Sequence, residues 1–144
     1  MKRLFALCLL TTAFTFAEEP PELSVRSMDI PRYPPLAYQA RIQGTVELRV
    51  AVNPDGQVTK ATVTSGPTLL QGLTAENIKT WHFAPSAGGK SSELVIRYEY
   101  KIEGKEIPYL LPDKQSFRVK LELPTSVEIS APPMKIDTIV TDSN

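Results

Sequence analysis

His82 is the chain's one imidazole and Cys8 its one thiol, so any metal centre, nucleophile–base pair or thiolate chemistry would have to be built around them. A Ser/His/Asp triad or a histidine-rich metal site needs His82 beside a carboxylate. It stands instead between Trp81 and Phe83, and the plain reading is a partly exposed side chain at a helix end. Cys8 lies in an apolar run near the start of the chain, where it supports neither a disulfide nor a lipid attachment. Ala87-Gly88-Gly89-Lys90-Ser91 ends like a phosphate loop, but Ala84 stands where that motif requires its first glycine. The segment also leads from a helix into a strand, so no helix N-terminus would face a phosphate. It reads as a turn rich in Gly and Ser. Carboxylates are spread along the chain without a spacing that singles out an acid–base pair. No catalytic, cofactor-binding or metal-binding residue is nominated, and an enzyme is not expected.

The chain's ends set its compartment. Lys2 and Arg3 precede an uncharged run from Leu4 to Phe16, and Glu18 and Glu19 follow, which is the layout of a secretory signal peptide spanning 1–17. Thr15 and Ala17 suit cleavage after Ala17. The run is shorter than the ~20 apolar residues of a spanning helix, so no stable membrane anchor is expected and the destination is periplasmic or secreted. Cleavage removes two of the 16 basic residues and none of the 16 acidic ones. Such a balance lacks the basic footprint of a nucleic-acid binder. Residues 18–32, with Pro20 and Pro21 and no periodicity, read as an extended tether.

From Tyr33 the pattern becomes regular. Pro34 and Pro35 suit the start of a short helix bearing Leu36, Ala37 and Ala40, which Gly44 ends. Val46, Leu48, Val50 and Val52 alternate with polar residues as in a half-buried strand. Asn53-Pro54-Asp55-Gly56 is a hairpin turn, and Val58–Ser65 supplies the returning strand. Thr74 caps a second helix whose apolar line is Ala75, Ile78 and Trp81, closed by Pro85. Leu94, Ile96, Tyr98, Tyr100 and Ile102 alternate with Arg97, Glu99 and Lys101 in a third strand. Strands apolar on one side and two helices predict an α+β fold: a three-stranded antiparallel sheet with both helices on one face. Over 104–144 a fourth strand is expected at 116–123 and a fifth near Val127–Ser130, before a disordered end.

Together these residues resemble the TonB C-terminal domain family. The likeness covers 33–103 and rests on Tyr33-Pro34 with Ala37, Ile42 with Gly44, the V-x-L-x-V-x-V strand, Asp55-Gly56, Ser65-Gly66, and Trp81, Phe83 and Pro85. Trp81 and Phe83 read as core aromatics. The resemblance implies a periplasmic protein-binding module that engages an envelope or outer-membrane transport protein by β-augmentation, the partner segment pairing with the third strand. Here that edge is Glu93, Val95, Arg97, Glu99 and Lys101. The short tether and cleavable leader point to a soluble relative of the membrane-anchored energy transducers. The strand at 117–123 could cover the partner edge of its own molecule or exchange into a second copy, which gives the alternative of a structural or self-associating envelope protein.

Overall fold

The computed structural model describes residues 23–107 and 117–135; the expected leader over 1–17 and residues 18–22, 108–116 and 136–144 lie outside them. In chain order the elements are β1 (Val25–Ser27), α1 (Pro35–Gln39), β2 (Gly44–Val52), β3 (Val58–Ser65), α2 (Thr68–Lys79), β4 (His82–Phe83), β5 (Ser92–Ile102), β6 (Arg118–Glu122) and β7 (Ser126–Ala131). The α+β class stands, and two C-terminal strands widen the sheet beyond β5 to five, in the order β3-β2-β5-β7-β6. The first three are antiparallel neighbours. β7 then runs parallel to β5 over Arg97–Ile102, and β6 turns back along β7 as an antiparallel hairpin.

The β2 alternation does what its period requires. Val46, Leu48, Val50 and Val52 are buried, while Glu47 and Arg49 face the other side. At the hairpin, Gly56 takes φ +88° and a Cβ there would sit 2.0 Å from the carbonyl oxygen of Phe83, so only glycine fits. Burial of Tyr33, Ala37, Tyr38, Leu70, Ile78, Trp81 and Phe83 against the β2 and β5 side chains closes the core on one face of the sheet.

Both helices depart from the expected limits. α1 ends at Gln39, and Gly44 opens β2 instead of closing the helix. The left-handed residue is Arg41 at φ 54°, with Ile42 N–H donating to Ala37 O (2.8 Å) and Arg41 N–H to Tyr38 O (3.0 Å). These two bonds satisfy the last helical carbonyls as a Schellman motif does. α2 begins at Thr68, with Pro67 at its N-cap, so Thr74 is a buried mid-helix residue. Its hydroxyl donates back to Leu70 O and receives the Tyr100 hydroxyl (2.7 Å). The helix stops at Thr80, whose side chain and backbone both donate to Asn77 O. Trp81 therefore lies beyond the helix, and His82–Phe83 pair with Val25–Ser27 as a two-stranded ribbon. The described part of the stretch read as a tether is thus packed: Leu23, Val25 and Met28 lie against the core.

Candidate functional site: the flank of β5

β5 is the strand the sequence nominates for partner binding, and its two flanks differ. β2 lies along one from Ser92 to Tyr100. β7 lies along the other, but only from Arg97 to Ile102, starting where Arg97 N–H donates to Thr125 O (2.9 Å). Over Ser92–Ile96, among the described residues, no strand pairs with that flank. The five nominated residues are therefore divided. Glu93 and Val95 lie beside the open half, and Val95 is 42 % exposed for an apolar side chain. Arg97, Glu99 and Lys101 lie beside the filled half.

The strand expected over Phe117–Leu123 does not cover this flank; the following strand, β7, does. Alternation alone cannot rank the two, because both carry apolar residues at every second position. Their surroundings differ: Val127, Ile129 and Ala131 of β7 are buried, whereas Leu121 of β6 is 45 % exposed. The inner position goes to the strand flanked on both sides.

Charges on the outer face pin β7 in place. Lys101 Nζ contacts Glu128 of β7 at 2.8 Å and Glu99 at 3.3 Å. Hydrogen bonding to Glu128, then to Glu99, raises the Lys101 pKa above the usual lysine value, and the bond from Lys101 holds the Glu128 carboxyl below the usual carboxylate range. Arg97 bridges the other way, to Glu47 on β2 (2.9 Å). On the β2 side of β5, away from the open flank, Arg49, Ala51, Lys60, Thr62, Thr64 and Glu93 line a shallow hollow over β2 and β3.

Beneath β5, aromatic residues fix its position. Trp81 packs 6.0 Å from Phe83 and 6.2 Å from Tyr98, and Tyr33 stands edge-on to Tyr100 at 5.2 Å (ring centroids). Burial, reinforced by Tyr100 and Tyr38, pushes the Tyr33 hydroxyl up to about 12; burial also raises Tyr98 and Tyr100. Such hydroxyls stay protonated and act as hydrogen-bond donors. Asn77 organises three elements: its Oδ1 accepts from Tyr98 Oη (2.7 Å) and Trp81 Nε1 (3.3 Å), while its Nδ2 donates to Asp29 O (2.8 Å). Sequence reasoning passed over Asn77, whose one visible signal was its place four residues before Trp81. Tyr33, Pro34, Trp81 and Phe83 are buried as structural residues, Asp55 is exposed in its turn, and Pro85 is exposed after β4.

The residues examined for catalysis do not converge. His82 is exposed on β4, with Nδ1 3.0 Å from Thr80 O. Gly89 N–H closes a turn onto Ser86 O (3.0 Å), and the chain continues into β5, not a helix. Among the described residues no three His, Cys, Asp or Glu side chains gather as for a metal ion, and no helix is long and apolar enough to cross a membrane.

Residues 30–102 match the family model described as the Gram-negative bacterial TonB protein C-terminal. The chain is also similar to the solution NMR structure of the Pseudomonas aeruginosa TonB CTD, with 23 % identity over 61 % of this chain and 94 % of that one, at a TM-score of 0.48. No curated protein matches the chain. The family match spans half of the sequence, from the segment before α1 to the last residue of β5, and on it the chain belongs to the TonB C-terminal family.

Proposed function

We propose that this protein is a non-enzymatic, periplasmic protein-binding module that takes up an extended segment of an envelope or outer-membrane transport protein by strand addition at the open half of β5. Family membership supports the class of function. The observation that carries the location is the flank at Ser92–Ile96, unpaired among the described residues and continuous with a stretch already filled by β7. Backbone N–H and C=O groups on such a flank supply affinity, and alternate side chains tune choice. Glu93 and Val95 make first contact. Arg97, Glu99 and Lys101 become available only if β7 leaves. Cleavage of the leader after Ala17 would release the protein without an anchor. Backbone amide NMR with peptides from periplasm-facing segments of outer-membrane transporters tests the reading. Shifts centred on Glu93–Ile96 are expected, and a peptide set that perturbs no β5 amide, with 104–144 present or deleted, would refute it.

The pairing of β7 with Arg97–Ile102 favours a second reading, in which the C-terminal extension serves structure and holds the partner edge closed. Peptide binding seen only after deletion of 104–144 would select it.

A further inference from the structure

β6 is the outermost strand on its side of the sheet, and among the described residues none pairs with its outer edge. The opposite edge, β3, is irregular: its register with β2 shifts between Glu47 and Leu48 and again between Ala51 and Val52, and irregularities of this kind turn an edge away from partners. β6 has no such protection, since its register with β7 runs unbroken from Arg118↔Ser130 to Glu122↔Ser126. On the core-facing side, Leu121 is 45 % exposed and Leu123, just past the strand, 42 %. On the outer side, Lys120 and Glu122 form an ion pair at 2.6 Å.

We propose that the β6 edge is a homodimer interface, in which a second copy of the chain adds its own β6 antiparallel about a two-fold axis at Leu121. This register is self-complementary. Leu121 meets the partner's Leu121, Val119 meets the partner's Leu123, and Lys120 and Glu122 stand opposite the partner's Glu122 and the partner's Lys120. Opposite charges across a pair of strands favour it, and like charges oppose it. Moving the axis to Lys120 would set two ammonium groups face to face, so charge selects the axis at Leu121. The pairing covers the two exposed leucines and joins both sheets into one, with the cores on the same side. An edge lysine ordinarily discourages pairing; here each Lys120 gains a second carboxylate instead. β6 is separated from β5 by β7, so failure of this interface leaves the reading of the open β5 flank untouched, and the reverse also holds.

Sedimentation equilibrium on the protein recovered from the periplasm, compared with charge-reversed variants, tests the proposal. A concentration-dependent dimer is expected. Lys120→Glu and Glu122→Lys should each weaken it by roughly ten-fold, because two attractive pairs become repulsive, and the double reversal should bring it back. Thermal melts followed by circular dichroism check that the hairpin survives each change. If a reversal unfolds it, Leu121→Cys in a Cys8→Ala background decides, since the two sulfurs would lie on the axis within disulfide reach. A protein that stays monomeric at high concentration, including one whose own residues 136–144 cover the edge, would overturn the proposal. So would a dimer indifferent to the charge reversals, or an L121C variant that does not cross-link.

Discussion

Asn77 is the residue on which the aromatic core depends most directly, because a single amide oxygen accepts from both Tyr98 and Trp81. Asn77→Ala leaves both donors without that acceptor beneath β5, where Tyr98 and Trp81 are fully buried. The expected loss is about 1–3 kcal/mol, as for buried donors deprived of their acceptor, measured as a lower urea midpoint at unchanged slope. Gly72 offers the opposite case. It lies within α2 with nothing within 4 Å of where a Cβ would stand, so it carries the entropy cost of glycine in a helix and fills no steric need. Gly72→Ala should raise stability by about 0.5–1 kcal/mol, seen as a higher melting temperature; a lower one would mean that α2 requires the glycine. Gly56 stands apart from Gly72, since its φ of +88° and the carbonyl of Phe83 leave no space for a side chain.

β7 decides how much of the β5 flank stands open, and its outer-face hold is the Lys101–Glu128 pair. Glu128 has a folded pKa below its ordinary value, so its contribution is present above the unfolded carboxylate range and is lost as pH falls through the depressed folded value. Lys101 has a folded pKa above its ordinary value. Its contribution is complete below the unfolded lysine value and is lost as pH climbs through the raised folded one. The pair therefore acts between the carboxylate and lysine ranges. Glu128→Gln should speed hydrogen exchange at the Arg97 amide, which donates to Thr125 O beside β7, at neutral pH. The difference from the unaltered protein should shrink in acid, where the native Glu128 is also protonated. A difference equally large in acid would place the hold elsewhere, in backbone pairing or packing.

The C-terminal extension is part of the fold of the whole molecule. Val127, Ile129, Ala131 and Met134 belong to the buried core, Tyr38 Oη donates to Pro132 O, and Arg41 Nη2 donates to Met134 O (2.9 Å). Ile129→Ala should therefore cost about 2–5 kcal/mol, as for a large-to-small change in a packed core. Deleting 104–144 should cost more than any single substitution, and size-exclusion chromatography should show the exposed β5 flank self-associating. A truncated protein that was monomeric and as stable as the full chain would contradict this account of the extension. Much of the architecture was legible in the residues themselves. The two-residue period of β2 and β5, the Asn53–Gly56 turn and the buried Trp81 and Phe83 follow from side-chain alternation, local backbone preference and aromatic bulk, all of which act over a few neighbours. The ends of the helices were less legible. α1 stops on a left-handed Arg41, whose guanidinium reaches across to Met134, and α2 extends back to Pro67 past the place where Thr74 would have capped it. What the sequence by itself determined was therefore the family, the α+β class and the strands of the main sheet. The order of those strands was decided only by the tertiary structure: β6 and β7 alternate alike, and placing β7 beside β5 depends on burial from both sides and on Lys101 meeting Glu128, contacts between residues far apart in the chain that no local pattern encodes.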